Sequence, residues 1–154
     1  MARDWLFRGE DYTCDLRAAG VLIQGGKVLL QRDKNGVEYA VPGGHVQVGE
    51  TTENAVKREF REEMGIDIAA DRLLWTEECF WQWDGRQMHS LCFYYLVSGK
   101  MPDGGNFVSH LDNERVEYGF VPVEQLKNIT VYPAFLKDRI LCLSDHIEHY
   151  ISYA

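Results

Sequence analysis

A glycine-rich loop runs into a predicted helix at residues 43–66, GGHVQVGETTENAVKREFREEMGI. Thr51 is a residue type that often caps the start of a helix, and Gly65 is one that often follows its last turn. The pattern therefore predicts a helix between about Thr51 and Gly65. One face of this helix carries an apolar residue at every fourth position, which is expected to pack against a sheet: Val56, Phe60 and Met64.

The same helix carries three glutamates, Glu59, Glu62 and Glu63, within an arc of roughly 100°. Like charges at this spacing repel one another by a few tenths of a kcal/mol per pair, and Arg58, four residues before Glu62, is placed to relieve part of this repulsion. Two interpretations follow, a solvated acidic face and a site for a divalent cation. Carboxylate oxygens suit Mg²⁺ or Mn²⁺, and no nearby cluster of Cys or His indicates zinc.

The loop before the helix favours the cation site. PGGHVQVGE, residues 42–50, contains glycines that let the backbone approach a ligand, although two glycines alone are more typical of a tight turn into the helix. Glu50 at the end of this loop adds a fourth carboxylate to the junction between loop and helix. A loop and a helix that bring four acids together are more easily explained by a bound cation than by a surface face.

From Gly44 to Ile66 the sequence resembles the Nudix box, G-x5-E-x7-R-E-U-x-E-E-x-G-U, where U is a bulky apolar residue. Every specified position is matched, with Phe60 and Ile66 at the two apolar positions. Many specified positions at set spacing make this resemblance far more specific than a lone glycine motif. It implies the Nudix fold over residues 1–154 as a single domain, an α+β architecture described as an α/β/α sandwich with a mixed β-sheet.

The resemblance also implies an activity. Nudix enzymes hydrolyse a nucleoside diphosphate linked to another group, generally with Mg²⁺ and sometimes with Mn²⁺. By position, the implied metal ligands are Glu59, Glu62, Glu63 and the backbone carbonyl around Gly44. Arg58 resembles the residue that orients the glutamates by ion pairing, and Glu50 resembles the first, often structural, glutamate of the box. A glutamate that is free of the metal can accept the proton of the attacking water, and Glu59 and Glu62 are both candidates for that role.

A later loop, HLDNERVEYGF at residues 110–120, is a second source of acidic groups. Family members often place a further acidic ligand or base shortly before an aromatic-containing strand. Glu114 and Glu117 are both candidates, and the spacing to Phe120 favours Glu114. The alternative is an ordinary charged surface loop.

Length and composition favour a single globular domain and argue against some classes of binding partner. The chain has 154 residues, enough for one domain with its own core, and a net charge of −8. This charge argues against binding to a nucleic acid polymer or to an anionic membrane, both of which need a basic surface. The four cysteines form no C-x-x-C pair, so reduced thiols are expected. The N-terminus has no long apolar core, which favours a cytoplasmic protein without a signal peptide.

The rest of the sequence predicts mainly β-hairpins, with a helix near the C-terminal end. Gly25-Gly26 and Asp84-Gly85 predict the turns of two hairpins, and Asn35-Gly36 predicts a further turn. RVEYGFVPV is a strand candidate, followed by a short helical turn at VEQL. Apolar residues at helical spacing between Pro133 and Tyr150 predict a C-terminal helix.

Candidates for substrate binding are less specific. Arg17 and Arg32 flank the first hairpin and could hold a phosphate, although charged residues at strand ends are often simply solvated. Trp81 could stack on a base, although aromatic residues in hairpins more often pack across strands. The N-terminal segment DWLF could form the interface of a homodimer, since family members are often dimers, or could cover the core.

The substrate class is expected to be a small nucleotide, first of all a nucleoside triphosphate cleaved to a monophosphate and pyrophosphate. No proline lies between Pro42 and Pro102, so the downstream proline often seen in ADP-ribose pyrophosphatases is missing. ADP-ribose, nucleotide sugars and non-hydrolytic nucleotide binding remain alternatives. Binding alone is disfavoured because a pure binder does not need every glutamate of the box.

Overall fold

The computed structural model describes residues 2–154 as a mixed β-sheet with one long helix. Within these residues, no helix has the length and apolar character needed to cross a bilayer. The helices are α1 (Thr52–Met64), a 3₁₀ helix (Val123–Asn128) and α2 (Leu136–Arg139). The strands are β1 (Leu6–Arg8), β2 (Tyr12–Gln24), β3 (Lys27–Asp33), β4 (Glu38–Ala40), β5 (Gly43–His45), β6 (Ala69–Trp83), β7 (Arg86–Ser98), β8 (Val108–Ser109), β9 (Val116–Pro122), β10 (Thr130–Tyr132) and β11 (Glu148–Tyr153).

The long strand β2 joins the two halves of the sheet. Along most of its length β2 runs parallel to β7, and its last residues pair antiparallel with β3. The main path of the sheet is β10-β4-β3-β2-β7-β6-β11, which contains both parallel and antiparallel neighbours. Strand β5 pairs with the middle of β2, so the start of the glycine-rich loop is attached to the centre of the sheet.

The ends of α1 confirm the prediction from capping residues. Thr51 Oγ1 accepts a hydrogen bond of 3.1 Å from the backbone N–H of Asn54, and Gly65 ends the helix with a φ of 70°. Only glycine adopts this left-handed conformation without a steric cost, which is why the helix ends there. Val56 and Phe60 are fully buried against the sheet, as the four-residue spacing predicted.

Two hydrophobic clusters lie on opposite faces of the sheet. The first is covered by α1 and contains Val56, Phe60 and Met64 together with sheet residues such as Leu22. The second is covered by the 3₁₀ helix and α2 through Leu126, Leu136 and Ile140. The layer opposite α1 is therefore built from short helical segments, and the layered α+β architecture with a mixed sheet is confirmed.

Both predicted hairpins are present. The β2–β3 turn is at Gly25-Gly26, and the β6–β7 turn is at Asp84-Gly85. Asn35 has a φ of 64° in the predicted turn between β3 and β4. The four cysteines are free thiols.

The prediction of a C-terminal helix over residues 133–150 is wrong. Only Leu136–Arg139 is α-helical, and Glu148–Tyr153 forms β11, which lies parallel to β6 at the edge of the sheet. Two of the residues that produce the helical spacing, Leu136 and Ile140, are buried at this single short turn, whereas Ile147 is 56% exposed. Pairing with a distant strand overrides the local helical pattern, because β6 supplies backbone partners that a short sequence window cannot reveal.

Candidate active site

Arg58 lies at the centre of the acidic junction between the loop and α1. Its Nε and Nη2 donate to the two carboxylate oxygens of Glu50 at 2.8 and 3.0 Å. Its Nη1 donates to Glu59 Oε1 at 2.8 Å and to Glu62 Oε2 at 3.1 Å. Nη2 also donates to the backbone carbonyl of His45 at 2.9 Å, which ties the glycine-rich loop to the helix. One guanidinium thus orients three carboxylates and the loop.

Glu50 is held in place by hydrogen bonds from Arg58 and from the loop backbone. Its Oε1 accepts a second hydrogen bond from the backbone N–H of Gln47 at 3.0 Å. The hydrogen bonds from Arg58 hold the pKa of Glu50 below its usual value, although partial burial opposes this shift. Glu50 is therefore an ionised anchor for Arg58 and for the turn that leads into α1.

Glu59 rests directly on the backbone of Gly44. A Cβ atom at position 44 would lie 2.4 Å from Glu59 Cδ, closer than any side chain permits. Gly44 is itself held in β5, where it pairs with Ala18 of β2. The glycine at the first position of the motif therefore makes room for a carboxylate beside the loop backbone.

Glu63 is the buried member of the cluster, with a residue exposure of 8%. Burial, followed by the hydrogen bond with Glu59 and the charge of that neighbour, raises the pKa of Glu63 well above its usual value. Its Oε2 atom has no hydrogen-bond partner within the described residues. The positive charge of Arg17 opposes this shift.

The predicted metal ligands have the donor chemistry that a divalent cation needs, but their side chains do not converge on one point. A buried, unpartnered carboxylate oxygen on Glu63, a glycine that leaves room at Glu59 and an all-oxygen donor set suit Mg²⁺ or Mn²⁺. In residues 2–154, no three Asp, Glu, His or Cys side chains already converge in a ligand arrangement. Glu59 and Glu62 instead both accept hydrogen bonds from Arg58.

Exposure separates the two candidates for the general base. The Glu59 side chain is 12% exposed, whereas that of Glu62 is 49% exposed. Both accept from the same Nη1 atom of Arg58. Glu62 is therefore the one that solvent reaches freely.

The later loop contributes residues that the sequence did not single out. Leu111 N–H donates to the backbone carbonyl of Glu63 at 2.8 Å, so this loop docks on the last turn of α1. His110 is buried beside Glu63, and the charge of Asp112 also raises the pKa of Glu63. Glu114 is exposed in the same loop. No spacing rule marks His110 or Asp112, because their proximity to α1 arises from the path of the loop.

The other acid of this loop region, Glu117, is occupied by Arg32. The side chains are joined by a hydrogen bond of 2.8 Å from Arg32 Nε to Glu117 Oε1. Arg32 Nη1 also donates to Tyr39 Oη at 2.6 Å, and its guanidinium lies 4.5 Å from the ring centre of Phe107. Arg32 is thus packed among aromatic rings and one carboxylate.

A cleft of about 360 Å³ opens beside Arg32. Its lining comes from β3, the turn after it, β4, and single residues of β9 and β10, and it includes Arg32, Tyr39, Ala40 and Tyr132. Ala40 is only a few residues before Gly44 in the chain, so the cleft and the acidic junction are linked by a short segment.

The remaining two predicted substrate residues lie elsewhere. Arg17 stands opposite His45 in the β2–β5 ladder, with its Nη1 3.3 Å from His45 Nε2. His45 Nε2 also lies 2.8 Å from Asp15 Oδ2, which gives the loop a second attachment to β2. Trp81 is half-buried on β6, where its Nε1 donates to Ser90 Oγ at 3.4 Å. Arg17 is therefore beside the acidic junction, and Trp81 is part of the β6–β7 hairpin.

Comparison with known proteins agrees with the motif. The NUDIX domain model matches residues 15–139. A Mycobacterium tuberculosis protein named as a mutator protein, MutT4, is 32% identical over 94 residues, which are 61% of this chain and 36% of that protein. An ADP-ribose pyrophosphatase of Methanocaldococcus jannaschii is 44% identical over 50 residues, 30% of each chain. The chain thus spans about a third of the length of these curated relatives.

A solved structure supports the same fold. The crystal structure of a mutator MutT protein from Bacillus halodurans superimposes with a TM-score of 0.64, covering 89% of this chain and 90% of that one. The sequence identity is 18%, so this likeness concerns the fold alone.

Proposed function

The chain belongs to the Nudix family, and from that premise we propose that it is a metal-dependent hydrolase that cleaves a pyrophosphate linkage in a small nucleoside diphosphate derivative. The observation that carries the proposal is the environment of Glu63. The buried carboxylate has an unpartnered oxygen and lies next to a second carboxylate on Glu59, so it needs more compensating positive charge than Arg17 provides. A divalent cation is the group that would supply it.

The residues that would hold this cation are Glu59, Glu63 and the carbonyl of Gly44, whereas Glu62, also predicted as a ligand, is left free of the cation to act as the general base. Their oxygens suit Mg²⁺ and also Mn²⁺. When bound, such an ion neutralises phosphate oxygens, lowers the pKa of a coordinated water and aligns the attack.

Arg58 orients the acids for this chemistry. Its hydrogen bonds to Glu59 and Glu62 hold both carboxylates at the mouth of the loop, and its fork on Glu50 keeps the guanidinium in place. Of the two candidates for the general base, Glu62 is favoured because its half-exposed side chain can pass a proton to solvent. Glu59 is held against Gly44 and is better suited to bind the cation.

The substrate is expected to lie between the acidic junction and the cleft at Arg32. A diphosphate at the junction would meet Arg17, whose side chain is 37% exposed beside the loop. The cleft of about 360 Å³ offers the exposed ring of Tyr132 and the hydrogen-bonded pair of Arg32 and Tyr39 to a nucleoside. Trp81, in its hairpin contact with Ser90, is the weakest of the predicted substrate residues.

Two substrate classes and one non-hydrolytic alternative are considered. A nucleoside triphosphate is the first choice, in keeping with the relative named as a mutator protein, and ADP-ribose or a nucleotide sugar is the second, in keeping with the relative named as an ADP-ribose pyrophosphatase. Non-hydrolytic binding is the third. It is disfavoured because the three helix glutamates, Arg58 and Gly44 are all retained in one assembled junction.

A panel assay separates these classes. Purified protein is incubated with nucleoside triphosphates, ADP-ribose and nucleotide sugars in Mg²⁺, in Mn²⁺ and in chelator, and the released monophosphate and pyrophosphate are measured. Metal-dependent turnover of at least one substrate is expected, reduced by about 10²-fold or more in Glu62→Gln. Nucleotides that raise the melting temperature without turnover would support binding alone and contradict the proposed hydrolase.

A further inference from the structure

Two buried polar atoms face each other where the later loop meets α1, and neither has a hydrogen-bond partner within residues 2–154. They are Glu63 Oε2 and His110 Nε2, which lie 3.8 Å apart. The two side chains are only 10% and 4% exposed, respectively. Buried polar atoms are nearly always paired in folded proteins, so two unpaired atoms at this separation indicate a contact that closes in one state of the site.

The position of the His110 ring is set by its backbone and by packing. The backbone N–H of His110 donates to the carbonyl of Val116 at 2.8 Å, and the next residue, Leu111, donates to the carbonyl of Glu63 at 2.8 Å. The ring packs against Tyr118 with a centroid separation of 5.6 Å. The loop is therefore docked on Glu63, and a movement of about 1 Å by the longer, unbranched Glu63 side chain closes the gap to hydrogen-bond distance.

The other ring nitrogen, Nδ1, lies near a carboxylate that is more exposed to solvent than Glu63 is. His110 Nδ1 lies 4.0 Å from Asp112 Oδ1, and the Asp112 side chain is 51% exposed. Solvent can hydrogen-bond to Asp112, whereas the buried Oε2 of Glu63 has no side-chain or backbone donor within the described residues. The tautomer with the proton on Nε2 therefore satisfies more buried groups.

We propose that His110 is a positioning residue, whose Nε2–H donates to Glu63 Oε2 and so directs the other carboxylate oxygen toward the loop–helix junction. The inference rests on the proposed function, because the group that needs Glu63 in this orientation is the divalent cation. Ligands that are themselves hydrogen-bonded bind a metal in a set orientation, and the loss of such a partner typically costs 10–100-fold in metal affinity.

The test uses substitutions that separate the donor from the shape of the ring. His110→Phe keeps the packing on Tyr118 and removes the donor, and His110→Gln places an amide N–H near the position of Nε2. Binding of Mn²⁺ to each protein is measured by calorimetry and by the loss of the free Mn²⁺ signal in electron paramagnetic resonance, with no substrate present. His110→Phe is expected to raise the Mn²⁺ Kd about tenfold, and His110→Gln to stay within about threefold of the wild type.

A matched control is His149→Phe, which removes another histidine–carboxylate contact, the exposed pair of His149 Nε2 and Glu78 Oε2 at 2.8 Å. Its Mn²⁺ affinity is expected to equal that of the wild type. His110→Asn serves as a second variant if His110→Phe does not fold, because its shorter side chain does not reach Glu63, and the same weakening is expected.

The outcomes separate the two levels of the proposal. Equal Mn²⁺ affinity of the wild type and both His110→Phe and His110→Asn, with hydrolysis intact in the wild type, would overturn the role of His110 alone. If the wild type binds no Mn²⁺, the proposed metal-dependent function fails, and the role of His110 fails with it. A weakening in His110→Phe that His110→Gln does not share supports the positioning role, because a purely structural role would not be restored by an amide.

Discussion

The backbone of Gly44 lies so close to the Glu59 carboxylate that a Cβ atom on residue 44 would be 2.4 Å from Glu59 Cδ. Glu59 in turn accepts a hydrogen bond from Arg58 at 2.8 Å, so the carboxylate is held between a strand and a guanidinium. A side chain at position 44 would therefore displace the Glu59 carboxylate, and this relationship gives the first prediction.

Gly44→Ala is expected to displace the Glu59 carboxylate and to lower turnover by about 10²-fold, because a misplacement of about 1 Å in a catalytic group has this effect. The fold should persist, since the helix caps at Thr51 and Gly65 are untouched. Steady-state kinetics and circular dichroism measure the two effects. Gly104→Ala is the control, because nothing lies within 4 Å of a Cβ at that position. Full activity in Gly44→Ala would show that Glu59 does not need its observed position.

Arg58→Ala is expected to destabilise the protein by about 2 kcal/mol or more, because it leaves the largely buried carboxylates of Glu50 and Glu59 without their charged donor. Arg58→Lys should recover part of this stability and little activity, since an ammonium cannot form the two-pronged contact to Glu50. Urea unfolding and turnover are the measurements.

The control for Arg58 is Lys57→Ala, which breaks the exposed pair with Glu53 at 3.2 Å on the same helix. Exposed pairs of this kind contribute about 0.5 kcal/mol or less. Equal losses in the two variants would mean that Arg58 contributes no more than a surface ion pair does.

Glu63→Gln is expected to separate stability from metal binding. Burial and the charge of Glu59 disfavour a charged Glu63 in the metal-free protein, so a neutral amide of the same shape should leave the metal-free melting temperature unchanged or raised. The rise in melting temperature on adding Mg²⁺ or Mn²⁺ should be lost, together with turnover. Differential scanning fluorimetry with and without metal measures both. Glu53→Gln, on an exposed position of α1, should keep the metal response, and a full metal response in Glu63→Gln would remove Glu63 from the ligand set.

The free energy of unfolding is expected to fall as pH rises above about 9, because of buried groups that lie outside the acidic junction. Burial raises the pKa of Cys92 to about 12 and also raises the pKa of the buried Tyr94, so the folded protein keeps protons that the unfolded chain loses. A group with a raised folded pKa contributes stability that is complete below its unfolded pKa and is lost above it, at up to about 1.4 kcal/mol per pH unit for each proton.

Urea unfolding between pH 8 and pH 11 measures this slope. Cys92→Ala should lower overall stability and make the slope shallower, whereas Cys142→Ala, at an exposed thiol, should leave the slope unchanged. An identical slope in Cys92→Ala and the wild type would assign the alkaline loss to other groups.

Local signals explain what was predictable in the fold. The bounds of α1 follow from Thr51 and Gly65, whose effects act within one turn of the chain, and the hairpin turns follow from Gly25-Gly26 and Asp84-Gly85. The C-terminal helix was mispredicted because β11 is stabilised by pairing with β6, a partner far away in sequence. The site divides in the same way. The spacing of the helix glutamates indicated their common face, and His110 was overlooked because its loop reaches Glu63 only in the folded chain.

The helix and its acidic face follow from residues near one another in the chain, because 3.6-residue periodicity and capping act over a few positions. Folding sets which acids are buried and which partners they meet: Arg58 donates to three carboxylates, Arg32 pairs with Glu117, and His110 faces Glu63. These contacts join residues distant in the chain, and sequence spacing carries no information about which loop will close over which strand.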